Sequence, residues 1–288
     1  MKQIISQISS QLQSAYPEDE ARSLAWWIME ELTGKSRTEL QFGCKDTAFS
    51  SIMQEKSQEI ISRLLHFEPI QYIFGHTEWY GLDLKVTQDT LIPRPETAEL
   101  VERINHEKAH TKNMPLSVLD VGTGSGCIAI ALKKTHPEWE VTGIDISEGA
   151  IEVAKENAKR NGVKVEFRVA DIFRTLKERE LHDSIDKNPP YDIVVSNPPY
   201  ICEREKEEMR PNVLDYEPHS ALFVPDEDPL KFYHRIASLH LGSLLFFEIN
   251  EAYPTEIATM LSGLNYSDIQ LSKDVYGKAR IIQARSTR

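Results

Sequence analysis

The stretch that most limits what this chain can fold into is Leu119-Asp120-Val121-Gly122-Thr123-Gly124-Ser125-Gly126. An apolar run over 116–119 leads into it, and a helical pattern over 128–134 leads out. A glycine-rich turn between a strand and a helix lets the backbone pass close to a bound group. The helix N-terminus beyond it favours negative charge. The alternation then repeats. Strands are expected at 141–144, 163–169, 193–195 and 244–249, and helices at 151–160, 230–239 and 257–264. Residues 269–271 and 281–284 are candidate last strands. Ile193-Val194-Val195 has no polar interruption, as suits a strand buried on both faces. Alternating units of this kind imply an α/β layer structure with a mostly parallel sheet.

The preceding segment has a different period. Ile4, Ile5, Ile8 and Leu12 recur at helical spacing. Pro17 can open a second helix, with Glu18, Asp19 and Glu20 in its first turn, where acids suit the helix dipole. Leu24, Trp27, Ile28 and Leu32 form its apolar stripe, and Gly34 ends it. A later helix carries Ile52, Ile60, Ile61, Leu64 and Leu65 and stops before Pro69. From about residue 72 the pattern alternates through Tyr72, Phe74, Trp79, Tyr80, Leu82, Leu84 and Val86, punctuated by Gly75 and Gly81. That predicts a β-hairpin. Pro93 and Pro95 then break regular structure. The expected division is a helical domain over 1–75, a β-hairpin linker over 76–92 and an α/β domain over 93–288.

Charge narrows the partners. The net charge is -12, and residues 1–75 carry seven Lys+Arg against ten Asp+Glu, so neither part is basic. An acidic surface gains nothing from a polyphosphate backbone, and no stable nucleic-acid partner is expected. Cys44, Cys127 and Cys202 are far apart and form no CxxC pair, and the nine histidines show no HExxH spacing. Neither a disulfide framework nor a metal site is expected. No apolar run approaches the ~20 residues that span a bilayer. The expectation is a cytoplasmic protein without a membrane partner. Nothing demands a dimer, so a monomer is expected.

The dinucleotide fingerprint G-x-G-x-x-G would start at Gly122 and need glycine at 127, where Cys127 stands. The glycines fall instead at Gly122, Gly124 and Gly126, with Thr123 and Ser125 between them and Asp120 before them. This D-x-G-x-G-x-G pattern resembles the first motif of the class I methyltransferases, which bind S-adenosylmethionine at this turn. Asp145 ends the second strand, where an acid can accept hydrogen bonds from both ribose hydroxyls. Asp171 and Ile172 follow the third strand, at the position that contacts adenine in that superfamily. Asp145 and Asp171 could instead be helix N-caps.

Asn-Pro-Pro-Tyr occurs twice, at 188–191 and at Asn197-Pro198-Pro199-Tyr200. Ligands of open α/β sheets bind at the carboxyl ends of the strands. The second copy directly follows the strand over 191–196, whereas the first lies at its amino end and is read as a chance match. Prolines at 198 and 199 have fixed φ and no N–H, giving a stiff loop that presents carbonyls. An –NH2 on an amide or a nucleobase has two donors. The Asn197 side-chain oxygen and the Pro198 carbonyl could each accept one, with Tyr200 stacked on the flat group. Positioning and polarisation would then do most of the catalysis.

The loop resembles that of the amino-methyltransferases, which act on nucleobases or on glutamine. Three further blocks resemble the release-factor glutamine methyltransferases. They are Pro69-Ile70-Gln71-Tyr72-Ile73-Phe74-Gly75, then Glu78-Trp79-Tyr80-Gly81, then Leu91-Ile92-Pro93-Arg94-Pro95-Glu96-Thr97. Residues 33–40, Tyr216-Glu217-Pro218 with Ala221-Leu222, and Asp274, Gly277 and Arg280 extend the match over nearly the whole chain. The resemblance implies a Rossmann-like seven-stranded class I methyltransferase domain, preceded by a small N-terminal helical bundle and a β-hairpin linker. It implies S-adenosylmethionine as cofactor and, as substrate, the GGQ glutamine of class 1 peptide chain release factors. Asn197, which also borders the cofactor, and Pro198 would hold that amide, and Pro199 and Tyr200 would shape its pocket. Arg94, Glu96 and Thr97 would close over the methionine end, and the N-terminal helices would help dock the release factor. The chain departs from the family pattern at Ala98, Ile172, Pro225 and Asn250. The alternatives are a nucleic-acid amino-methyltransferase (adenine N6 or guanine N2) and a non-catalytic scaffold that binds the cofactor.

Overall fold

The computed structural model describes residues 1–42, 49–108, 115–174, 190–274 and 277–288, so Cys44 and the first two residues of the earlier Asn-Pro-Pro-Tyr copy lie outside the described residues. The chain divides into two compact units. The first holds 1–75 together with 210–216, and the second holds 76–209 and 217–288.

The first unit is helical: α1 (Lys2–Leu12), α2 (Glu18–Thr33), α3 (Arg37–Phe42), α4 (Ser51–Leu65) and α5 (Ile70–Phe74). Ile8, Leu12, Ile28, Met29, Ile61 and Leu64 form its buried core. Gly34 ends α2 in the left-handed conformation that glycine adopts freely. Tyr72 and Phe74, expected to open the hairpin, lie instead on α5, and Ile70 of that helix is buried in the bundle. Five residues are too few for alternation to separate a strand from a turn of helix.

The second unit opens with the hairpin β1 (His76–Trp79) and β2 (Leu82–Lys85), paired antiparallel. Residues 86–92 of the expected linker are not strand. Helix α6 (Thr97–Lys108) follows. Its short apolar stripe, Leu100, Val101 and Ile104, is fully buried, yet nothing in the periodicity announced it beyond the two prolines. Then come β3 (Ser117–Val121), α7 (Cys127–Thr135), β4 (Glu140–Asp145), α8 (Glu148–Arg160), β5 (Glu166–Val169) and β6 (Tyr191–Ser196). The two-residue strands β7 (Ile201–Cys202) and β8 (Phe223–Val224) pair with each other, and α9 (Pro211–Leu214) falls between them in the chain, within the first unit. The chain continues through α10 (Lys231–Ser238), β9 (Gly242–Glu248), α11 (Pro254–Gly263), β10 (Tyr266–Lys273) and β11 (Ala279–Ser286).

Seven strands form one sheet in the order β10-β11-β9-β6-β3-β4-β5. The five from β9 to β5 are parallel, and β11 and β10 are antiparallel additions. Successive residues alternate between two cores, as the period of a strand requires. Val118, Ile193, Val195 and Phe246 face a core closed by α6, α7, α8 and the hairpin. Leu119, Val194, Leu245 and Phe247 face one closed by α10 and α11. From β3 the chain runs outward through β4 and β5 on one side and returns to β6 on the other. That reversal opens a crevice at the carboxyl ends of β3 and β6.

Gly143, in the middle of β4, marks how tightly the first core closes. A Cβ there would stand 2.7 Å from the Phe167 ring and 2.8 Å from the Thr123 hydroxyl. Gly143→Ala is expected to cost about 1–3 kcal/mol by overpacking. Urea unfolding should show a lower midpoint at an unchanged slope.

Candidate active site

At the end of β3 the chain turns through Gly122, Gly124 and Gly126, each with positive φ (71°, 55° and 81°). A Cβ on Gly122 or Gly124 would project into open space, whereas one on Gly126 would meet Ala154, Ile130 and Phe167 at 3.1 Å. The first two glycines thus open the backbone to a ligand, and the third lets α7 seat against its neighbours. Thr123 and Ser125 are buried with their side chains away from the opening, and Thr123 donates its hydroxyl to Asp120 Oδ2 at 2.6 Å.

Asp145, at the tip of β4, shapes the same turn. Its Oδ2 accepts the Gly124 N–H and its Oδ1 the Ser147 N–H, both at 2.9 Å. Burial raises its pKa, against the pull of those backbone N–H groups. It is not the N-cap of α8. Ser147 is, accepting the Ala150 N–H at 3.1 Å. Asp171 accepts the Phe173 N–H at 2.9 Å and caps no regular helix among the described residues. The Ile172 carbonyl is held by Arg235 of α10.

The second Asn-Pro-Pro-Tyr copy leaves the carboxyl end of β6, beside the glycine turn. Adjacent strands β3 and β6 bring the two motifs together, with Asp120 opposite Val195 and the Ser196 hydroxyl donating to the Val121 carbonyl at 2.6 Å. Tyr191, from the earlier copy, begins β6 at the opposite end and is buried.

These segments enclose a cleft of about 850 Å³, its open mouth included. Of the residues expected at the site, Gly122, Gly124, Asp145, Asp171, Ile172, Asn197 and Pro199 line it. Arg94, Glu96, Thr97, Pro198 and Tyr200 do not, and neither do Thr123, Ser125 and Gly126. Residues not anticipated complete the walls. Ile144, Ile146, Phe232 and Ile236 are apolar, and Asp89 sits at the mouth. A Cβ on Gly149, in the first turn of α8, would meet the Asp89 carboxylate at 2.6 Å.

Behind the cleft lie two buried acids whose roles the sequence did not disclose. Glu217 accepts the Arg94 guanidinium at 2.6 Å and the Ile92 N–H at 3.2 Å. It ties the Pro-Arg-Pro-Glu-Thr segment to the loop whose Pro218, Ser220 and Ala221 line the cleft. Glu248, ending β9, accepts the Thr97 hydroxyl at 2.8 Å and the Tyr200 hydroxyl at 3.3 Å. Burial pushes its carboxyl up to about 7, against the pull of those two hydroxyls and of Arg280. Burial, and then the Glu248 charge, push the Tyr200 hydroxyl up as well. Asn250, one of the departures from the family pattern, braces the loop from the same side by donating to the Tyr200 carbonyl at 3.0 Å. Glu248 could have been suspected as a lone carboxylate closing the apolar strand Leu244-Leu245-Phe246-Phe247.

The donor set suits S-adenosylmethionine. Apolar walls fit a purine, Asp145 offers carboxylate oxygens to hydroxyls, and a Cβ-free backbone admits the ligand.

Asp120 makes a second test of the electrostatics. Burial raises its carboxyl to about 7 from the usual 3.8, while the Thr123 hydroxyl and Ala129 N–H pull the other way. A raised acid contributes its stability fully below the unfolded pKa and loses it as pH rises through the folded one. Asp120→Asn should therefore gain on the parent between about pH 4 and pH 7, by on the order of 4 kcal/mol at the linkage limit. Urea unfolding across that range measures the difference, and parallel profiles would show Asp120 ionised without cost.

Residues 3–75 match the family described as the PrmC N-terminal domain, and residues 112–234 match the one described as a methyltransferase domain. A release factor glutamine methyltransferase of Bacteroides thetaiotaomicron is 44% identical over 289 residues, covering 99% of each chain. Another, of Flavobacterium psychrophilum, is 39% identical over 98% of each. Among solved structures, the hMettl16 catalytic domain bound to a MAT2A 3′UTR hairpin superposes with a TM-score of 0.55 at 16% identity, over 83% of this chain and 82% of that one. The human methyltransferase 10 domain containing protein gives 0.53 at 18% identity, over 73% and 90%. Both likenesses are of fold. Among the described residues no helix is long and apolar enough to cross a membrane.

Proposed function

We infer the reaction from one premise: this chain belongs to the family of release factor glutamine methyltransferases. It is an S-adenosylmethionine-dependent enzyme that methylates a glutamine side-chain amide of a release factor. The target is the N5 nitrogen of the GGQ glutamine in class 1 factors, and the reaction belongs to the cytoplasm. The observation that carries the reading at the level of the site is the position of Asn197. It borders the same cleft as Gly122, Gly124 and Asp145, so one ligand and one amide can meet there.

Gly122, Gly124 and Asp145 hold the cofactor's aminoacyl and ribose portions, and Ile144, Ile146, Ile172 and Phe232 take the adenine. Bound there, S-adenosylmethionine supplies an electrophilic methyl group on a sulfonium. Asn197 Oδ1 and the Pro198 carbonyl each accept one N–H of the substrate amide. With both donors engaged, the nitrogen lone pair is turned toward the cleft. The two acceptors also stabilise the positive charge that grows on nitrogen during transfer. No strong base is needed before attack, because the proton leaves with or after methyl transfer. Pro199 and Tyr200 keep the loop stiff. Arg94 and Glu217 tie the Pro-Arg-Pro-Glu-Thr segment to the loop of Pro218, Ser220 and Ala221 in the cleft wall. Residues 1–75 dock the release factor, and the enzyme acts as a monomer.

The test is methyl transfer from labelled cofactor to four acceptors in parallel. They are unmethylated release factor, its GGQ glutamine-to-alanine variant, DNA and ribosomal RNA. Label on the release factor alone, lost in the variant, is expected. Label on nucleic acid and none on the release factor would move the assignment to a nucleobase amino group.

A further inference from the structure

An amide side chain has two edges of nearly equal shape and opposite polarity. Asn197 can serve an –NH2 substrate only if its oxygen faces that substrate and its own –NH2 faces the protein. Turned over, it would set donor against donor. Proline neighbours stiffen the backbone and leave this choice open, so something in the fold has to make it.

With Glu248 ionised, the structure supplies a chain of hydrogen bonds with one direction. Glu248 Oε2 accepts the proton of Thr97 Oγ1 at 2.8 Å. Thr97 has one hydroxyl proton, and once it is given to the carboxylate the oxygen can only accept. It accepts from Asn197 Nδ2 at 3.2 Å. The Asn197 –NH2 edge is thereby held on the protein side, and Oδ1 is the edge left for the substrate. Three separate elements converge to do this: the first residue of α6, the last of β9 and the loop after β6. Thr97 is 3% exposed and Glu248 is 2% exposed, so water does not compete for either bond. The second oxygen of Glu248 takes the Tyr200 hydroxyl, holding the other end of the same loop.

We propose that Thr97 and Glu248 are positioning residues that set which edge of the Asn197 amide the substrate meets, and so make the site an acceptor for planar –NH2 groups. The inference rests on the reading that Asn197 Oδ1 accepts a substrate N–H. Thr97 had been expected to contact the cofactor. It does not border the cleft, and its hydroxyl is committed to this relay.

The experiment is a double-mutant cycle on the full chain, with methyl transfer to unmethylated release factor as the assay. Thr97→Val keeps the shape and removes the hydroxyl. It is expected to lower kcat roughly tenfold or more, the scale of a misplaced catalytic group, with cofactor affinity within about twofold. Thr97→Ser should restore most of the loss, and Glu248→Leu, which removes the acceptor for the Thr97 proton, should resemble Thr97→Val. In an Asn197→Ala background the Thr97→Val change should cost nothing further, because there is no amide left to orient. A full Thr97→Val loss in that background would overturn the proposal. So would a loss matched by an equal fall in cofactor affinity and melting temperature. If Asn197→Ala alone leaves kcat intact, the reading beneath the proposal fails instead.

Discussion

Asn197→Ala is expected to lower kcat for methyl transfer by about 10²–10³-fold, the range found when one preorganised polar contact to a reacting group is removed. Asn197 borders the cleft beside the glycine turn, and its side chain donates to the Thr97 hydroxyl. It is only partly buried, so its truncation should leave the domain folded. The Pro198 carbonyl remains, so substrate should still bind, and the deficit should fall on kcat more than on KM. Cofactor affinity should change little, since Gly122, Gly124 and Asp145 are untouched. Single-turnover methyl transfer with saturating cofactor measures the chemical step directly. A kcat within a few-fold of the parent would remove Asn197 from the reaction.

Asp145→Asn should act on the other half of the reaction. One carboxylate oxygen is held by the Gly124 N–H and the other by the Ser147 N–H, each at 2.9 Å. An amide keeps the shape but replaces one acceptor with a donor. That donor must face either a backbone N–H or a ligand hydroxyl. Hydrogen bonds to charged groups contribute roughly 1.5–3 kcal/mol, so the Kd for S-adenosylhomocysteine should rise by about 10–150-fold. Calorimetry with this product measures binding without turnover, and kcat at saturating cofactor should stay near the parent value. The two variants thus separate binding from chemistry. An unchanged Kd for Asp145→Asn would mean that the carboxylate only shapes the turn.

Some of this was legible in one dimension because of how buried parallel strands are made. The run 193–195 and the glycine turn after 121 stand out because strands buried on both faces need unbroken apolar residues and the turn needs positive φ. Helix α6 was not legible, because three buried residues in a charged segment make a weak stripe. Tyr72 and Phe74 misled for the opposite reason, since two aromatics two apart look like one face of a strand. The roles of the buried acids were hidden by distance. Thr97 and Glu248 are 151 residues apart, and Arg94 and Glu217 are 123 apart. No local pattern encodes such a pair until the sheet brings its ends together. Asp145 shows the middle case. Its place at a strand end was readable, but only the structure distinguishes it from a cap, by giving that task to Ser147.

The order of strands at the antiparallel side of the sheet has a consequence for how a newly made chain reaches this state. β11 lies between β9 and β10, and β10 pairs with β11 alone. Although β10 is made first, it cannot join the sheet until β11 exists to receive it. Until then β9 is an open edge carrying Leu244-Leu245-Phe246-Phe247, a short apolar run of the kind that templates aggregation. The strand most exposed to misassembly is thus the one that ends in Glu248. A molecule stalled before β11 docks is both sticky and without a braced catalytic loop, and quality control and activity should depend on the same final step.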